Sequence, residues 1–251
     1  MPRPRRIPRG SFVDLGVFDG GKRVRAYLPH GHSHDHPRPT LWLFDGQNVF
    51  GDEGSFAGGW HAHSALDRFA VLKKPLAPVI VAVDHGNVNR INELTPWSDG
   101  RQGGGADRFI GWLVSDLMPL VQRSVGLRTD AESTFIGGSS LGGLAAMYAH
   151  FKFPHAFGGA LVMSPSFWFA RRQIFDFVRS QSDPWRSRLY LDCGAREGRG
   201  MMIRQAREMA EYLGQRGYGA DRLMWRPDSK GTHAERHWRR RLPKALRFLF
   251  R

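Results

Sequence analysis

One cysteine, Cys193, is all the thiol this 251-residue chain carries, so no intrachain disulfide can form and a reducing setting is expected. No apolar run is long enough to cross a bilayer, and Met1-Pro2-Arg3-Pro4-Arg5-Arg6 is not followed by the apolar stretch of a signal peptide. A cytoplasmic location without a membrane partner is therefore expected. Acidic residues are scarce beside basic ones, 23 against 37, which leaves a net charge of +14 with arginine concentrated near the N-terminus and between Arg236 and Arg251. A field of that sign attracts anions, but no nucleic-acid motif of recognised spacing accompanies it. Solvated arginine-rich helix faces are the simpler reading, and no specific nucleic-acid partner is expected. There is no internal repeat. Gly103-Gly104-Gly105 is not followed by a Gly-x-x-x-x-Gly-Lys pattern, so a nucleotide site is discarded and no cofactor is expected.

What is present is a regular alternation of strand and helix patterns. Val13, Leu15 and Val17, then Asp19-Gly20-Gly21-Lys22, then Val24, Ala26 and Leu28 predict a leading hairpin. Short apolar runs at 40–44, 79–83, 135–136, 160–163, 189–191 and 223–225 predict further strands, several covered on both faces. Helical stripes are expected at 60–72, through Phe109, Leu113, Leu117 and Leu120, after residue 140, through Ile203 and Leu213, and from Trp238 to Leu249. Residues 84–105 read as a long polar loop. The whole predicts an α/β fold, a mostly parallel sheet of about eight strands with helices on both faces, over residues 11–251 behind a basic, flexible tail at 1–10. Between Pro29 and Pro37 lies a histidine-rich tract, His30 to His36. A proline-bounded loop offers alternating imidazoles no fixed geometry, so an exposed loop rather than a metal site is expected.

The chemistry gathers at Gly138-Ser139-Ser140-Leu141-Gly142, a Gly-x-Ser-x-Gly pattern entered by a strand and left by a helix. At such a corner the flanking glycines let strand and helix backbones approach, and the exposed serine is a candidate nucleophile. The symmetric glycine spacing favours Ser140 over Ser139. The Leu141 N–H opens the new helix without an intrahelical partner and can face an oxyanion. Asp45-Gly46-Gln47-Asn48 follows another central strand, and the Gln47 N–H is the candidate second donor, a plain Asp-Gly turn being the competing reading.

A serine hydroxyl needs a base, and the base an orienting acid, in the chain order Ser, acid, His. His233 falls between the last strand and the last helix, while its competitor His237 falls within that helix. Glu197 is preferred to Asp192, which abuts its strand, and to Asp228; a Ser–His pair without an acid stays open.

The run 43–50, Arg90 with Glu93-Leu94-Thr95-Pro96, the elbow 137–143, Ser164-Pro165-Ser166-Phe167-Trp168, 194–197, and Gly231-Thr232-His233-Ala234-Glu235 with Trp238 resemble the esterase D / enterochelin-esterase-like group of α/β-hydrolases. That group is similar to feruloyl esterases and mycolyltransferases. The resemblance implies an α/β-hydrolase fold and a cofactor-independent serine esterase. In it Ser140 is the nucleophile, Glu197 the acid, His233 the base, and the Gln47 and Leu141 amides bind the oxyanion. The group's acid is Asp in some members and Glu in others. The histidine tract and the arginine excess depart from its pattern. Enterochelin-type relatives act on anionic catecholate esters, so a small, anionic or aromatic ester is the expected ligand. Arg90 is then either substrate-facing or paired with Glu93, and Trp60 and Trp168, with Trp97 and Trp238, either line an aromatic cleft or lie in the core. Acyl transfer by the same triad, or a non-catalytic protein that binds acidic ligands on this fold, are the alternatives.

Overall fold

The computed structural model describes residues 7–55, 58–71, 76–184 and 186–251. Residues 1–6 of the expected tail, and Leu72 at the end of the expected 60–72 helix, lie outside them. All eight expected strands form: β1 (Ser11–Phe18), β2 (Lys22–Leu28), β3 (Thr40–Leu43), β4 (Val79–Val83), β5 (Thr134–Ser139), β6 (Gly159–Met163), β7 (Arg188–Gly194) and β8 (Leu223–Asp228). They make one sheet in the order β1-β2-β4-β3-β5-β6-β7-β8. The β1–β2 hairpin and the β2–β4 pair are antiparallel, and every later pair is parallel.

Because successive side chains of a strand point to opposite faces, the apolar runs feed two cores. Trp42, Val81, Ile136, Val162 and Leu191 face one, and Leu41, Leu43, Ile80, Phe135, Leu161 and Tyr190 the other. The second core is closed by α1 (Ala62–Ala70) and α8 (Glu235–Leu249). The first is closed by α3 (Ala106–Trp112), α4 (Met118–Val125), α5 (Leu141–Lys152), α6 (Gln173–Ser180) and α7 (Met201–Gln215). Side chains such as Trp42 and Phe135 are almost wholly buried, each worth about 2–3 kcal/mol in apolar surface removed from water.

Four expectations need correction. The first helix starts at Ala62 rather than residue 60, because the Trp60 and Ala62 amides donate to Asn48 and Val49 of the preceding loop. The stripe through Leu120 breaks, and Leu120 is exposed: a π-helical turn at Leu113–Leu117 lies between α3 and α4, inserts one residue, and rotates Met118 and Val121 inward instead. The segment 84–105 is not structureless. It contains α2 (Arg90–Leu94) and is closed by Gly103 and Gly105 amides donating to Asn92 and by Gly104 and Ala106 donating to Thr95. Helix α6, whose Ile174, Phe175 and Val178 face the core, was not expected. In the histidine tract, mostly exposed as expected, His32 is tied to the Val125 carbonyl at 2.6 Å.

Helix α5 buries His150 completely, with neither ring nitrogen hydrogen-bonded among the described residues. Burial, aided by the Arg222 charge, lowers its pKa from 6.5 to about 3. The folded imidazole therefore stays neutral where the unfolded one gains a proton, so stability contributed by neutral His150 is lost as pH falls below 6.5 towards 3. His150→Leu should accordingly gain on the wild type, by several kcal/mol at most, in urea unfolding at pH 4 compared with pH 8. A stability difference that is the same at both pH values would contradict this.

Candidate functional site

Strand β5 ends at Ser139 and α5 begins at Leu141, so Ser140 alone makes the corner, with φ 58° and ψ −120°. That conformation is strained for a residue with a side chain, and the neighbourhood holds it from several directions. The Ser140 amide donates to the Met163 carbonyl at 3.1 Å, and its carbonyl accepts from the Ser166 amide at 3.0 Å and the Leu144 amide at 3.1 Å. The glycine at 138 is required by space, since a Cβ there would come within 2.7 Å of the Gly142 carbonyl carbon. Ser139, the alternative nucleophile, is buried at the strand end.

Two loops bring the partners. Glu197 follows β7 and His233 follows β8, and the loops are bonded together: the Ala195 amide donates to the Asp228 carbonyl at 2.9 Å and the Arg196 amide to the Gly231 carbonyl at 3.1 Å. Gly194 and Gly231 lie so close that a Cβ on Gly194 would be 2.5 Å from the Gly231 carbonyl carbon. The result is a hydrogen-bonded run, with His233 Nε2 2.9 Å from Ser140 Oγ and His233 Nδ1 2.9 Å from Glu197 Oε2. An ionised carboxylate only accepts, so Nδ1 donates to Glu197, and Nε2 faces the serine hydroxyl. The Trp238 indole packs against the imidazole with ring centroids 5.0 Å apart and the two planes nearly perpendicular.

Glu197 is 1% exposed. Burial pushes its pKa upward, but hydrogen bonds from His233 and Ser164, with the charges of His233 and Arg241, outweigh burial and hold it below the usual 4.5. Its Oε1 accepts from Ser164 Oγ at 2.8 Å and from the Gly194 amide at 2.9 Å. Asp192, the rejected acid, faces Arg241 instead, Nε to Oδ2 at 3.0 Å, and burial raises its pKa to about 7 against the pull of that arginine. Asp228 pairs with Arg240 and Arg241, and His237 lies in α8 beside Arg240.

On the other side of Ser140, Phe44 donates to the Gly137 carbonyl, which carries β3 onto β5 and sets the 45–48 loop against the start of α5. Asp45, left-handed at φ 55°, lies over Gly142, where a Cβ would be 3.2 Å from Asp45 Oδ2. The Gln47 side chain exchanges two hydrogen bonds with the backbone of His85, at 3.2 and 3.3 Å. Neither the Gln47 nor the Leu141 backbone N–H has a hydrogen-bond partner among the described residues.

The other candidates fare differently. Arg90 does not pair with Glu93: it grips Asp45 through two bonds, Nε–Oδ1 at 2.6 Å and Nη2–Oδ2 at 2.8 Å, while Glu93 binds Lys22 at 3.0 Å. Arg90 thereby ties α2 to the 45–48 loop. Trp60 is 2% exposed and packs behind Trp238 at 6.1 Å, so it lies in the core and not on a cleft wall. Trp97 is packed against Tyr148 and Phe177. Trp168, 45% exposed on the loop after β6, is the most exposed of these four tryptophans. Ser166 Oγ lies 3.3 Å from Ser140 Oγ. In the sequence Ser164 and Ser166 stand in the motif that carries the resemblance but without a role, and Arg241 is not singled out; the only signal for Arg241 was its place three residues after Trp238, on the same face of α8. Among the described residues no group of three or more His, Cys, Asp or Glu side chains is arranged to hold a metal ion, and no helix is long and apolar enough to cross a membrane.

A mostly parallel eight-stranded sheet with a strained serine at the β5–α5 corner, and with a carboxylate and an imidazole on loops after later strands, is the α/β-hydrolase fold. A family model described as "Putative esterase" matches residues 17–249, and the chain belongs to that family. A Bacillus subtilis (strain 168) protein called "Uncharacterized protein YbbA" is 23% identical over 245 residues, 92% of this chain and 93% of that protein. The iron(III) enterobactin esterase of Dickeya dadantii (strain 3937) is 41% identical over 69 residues, 26% of this chain but only 16% of that enzyme. Among solved structures, the BES protein from Bacillus cereus superposes with a TM-score of 0.77 at 20% identity, covering 97% of this chain and 95% of that one. The enterobactin esterase FES from Shigella flexneri, solved in the presence of enterobactin, gives 0.74 at 24% identity, with 97% of this chain matching 59% of that enzyme.

Ser140 stores backbone strain of about 1–3 kcal/mol that glycine would not. Ser140→Gly should therefore unfold at a higher temperature than Ser140→Ala, by the equivalent of about 1 kcal/mol. An equal or lower Tm for the glycine variant would contradict the strain.

Proposed function

We propose that this chain hydrolyses a small carboxylic ester through a Ser140–His233–Glu197 triad and an acyl-enzyme intermediate. The observation that carries this reading is the unbroken hydrogen-bond run from Glu197 through His233 to Ser140, each step 2.9 Å. His233 Nε2 takes the Ser140 proton as Oγ attacks the ester carbonyl, and Glu197 stabilises the imidazolium that forms. The Gln47 and Leu141 amides are the proposed donors to the tetrahedral oxyanion, a reading supported by their having no other partner among the described residues and by the pinning of Gln47 to His85. Collapse of the intermediate expels the alcohol, protonated by His233, and water drawn to the same imidazole then releases the acid.

For the substrate we propose an aromatic or anionic ester. The aromatic part is supported by the exposed Trp168, two residues beyond Ser166. The anionic part rests on the overall positive charge and on likeness to an enzyme solved with enterobactin and with 2,3-dihydroxy-N-benzoyl-serine. Residues 11–251 are read as one domain, and a cytoplasmic setting is proposed from the single free thiol of Cys193.

Ser140→Ala should lower kcat for p-nitrophenyl acetate by at least about 10³-fold with the fold intact by circular dichroism; full retained turnover would end this reading. Trp168→Ala should raise KM about three- to tenfold for aryl-acyl esters and leave acetyl esters unchanged, in proportion to the loss of one aromatic contact. An equal effect on both substrate classes would remove Trp168 from the site.

A further inference from the structure

Ser164 has a backbone that a serine should avoid and a hydroxyl with no freedom left. Its φ is 42°, in the left-handed region where glycine is the natural occupant, and it is completely buried at the end of β6. Three side chains converge on its oxygen. Trp238 Nε1 lies at 2.9 Å, Arg241 Nη2 at 2.8 Å and Glu197 Oε1 at 2.8 Å.

An indole N–H and a guanidinium N–H can only donate, and together they occupy both lone pairs of the hydroxyl. The single hydroxyl proton therefore has one direction left, towards Glu197. Glu197 in turn has Oε1 filled by Ser164 and the Gly194 amide, which leaves Oε2 to His233 at 2.9 Å and to a weak contact from the Cys193 thiol at 3.8 Å. Arg241 is kept in place from behind by Asp192 at 3.0 Å and Asp228 at 3.5 Å, and its own approach to Glu197 Oε1 is 3.8 Å, longer than a hydrogen bond. The cation thus reaches the acid both directly, by its charge at that distance, and through the serine hydroxyl.

We propose that Ser164 is a positioning residue for ester hydrolysis, whose hydroxyl, locked by Trp238 and Arg241, orients the Glu197 carboxylate towards His233. The inference rests on the triad reading above and adds a residue to it. The strained backbone is then tolerated for the sake of the hydroxyl, since glycine would relieve the strain but supply no donor. Removing that donor raises the proton affinity of the Glu197–His233 pair, whichever of the two takes the proton.

Three variants separate hydroxyl from backbone. Ser164→Gly relieves the positive φ and deletes the hydroxyl, Ser164→Ala deletes the hydroxyl alone, and Ser164→Thr keeps a hydroxyl at some cost in stability. With p-nitrophenyl acetate, kcat should fall about tenfold or more in the glycine and alanine variants while KM stays within about twofold. The acidic limb of kcat/KM should move to higher pH, and the downfield NMR resonance of the His233 Nδ1 proton should shift or vanish. The threonine variant should be less stable than the glycine variant yet more active. A folded Ser164→Gly protein with wild-type kcat, pH profile and resonance would overturn the proposal, as would a folded threonine variant no more active than alanine. Wild-type protein without turnover would count against ester hydrolysis at Ser140; normal wild-type turnover with an unaltered glycine variant counts against Ser164 alone.

Discussion

The site depends on backbones approaching where no side chain fits. Gly138 lies against Gly142 at the elbow, and Gly194 against Gly231 where the loops after β7 and β8 cross. The first contact lets a helix leave the strand at once and lifts Ser140 out of both. The second draws the acid-bearing loop and the histidine-bearing loop together, so that side chains from separate strands meet over the sheet edge. A methyl group at Gly138 or Gly194 would force backbone against backbone, and the cost would fall on the geometry of all three side chains.

On this frame hydrogen bonding, rather than exposure, sets the electrostatics. Glu197 and Asp192 are both buried near a single guanidinium, Arg241, yet only Glu197 has hydrogen bonds enough to hold its pKa below the ordinary value. Asp192 is pushed up by burial and anchors Arg241. Two neighbouring carboxyl groups are thus separated in role by the hydrogen bonds around them. On the far side of the nucleophile, Asp45 and Arg90 form a two-bond clamp that joins the loop after β3 to α2 and sets a carboxylate near the start of α5, where the helix dipole favours negative charge.

Much of this was legible in the sequence because the governing signals are local. The leading hairpin announced itself by alternation around a turn, six further strands as short apolar runs, and the elbow by glycines two residues either side of Ser140. His233 stood out from the other histidines by its place between the last strand and the last helix. What was not legible depends on contacts between distant segments or on a shift of register. Arg90 sits three residues before Glu93 in the chain, but its partner is Asp45, 45 residues away. The partners of Ser164 are 33, 74 and 77 residues away. The π-helical turn at Leu113–Leu117 moved the apolar stripe off Leu120, and nothing in the periodicity marks where a residue is inserted. Trp60 could not be assigned to cleft or core from its type alone, since a tryptophan serves either.

The central claim is that Ser140 is a nucleophile activated by His233. Reaction of the protein with a fluorophosphonate, followed by mass spectrometry of the intact chain and its peptides, tests it most directly. The account predicts one adduct per chain, on the peptide carrying Ser140, and almost none after His233→Ala. Labelling of a different residue, or an unlabelled Ser140 in folded protein, would contradict it.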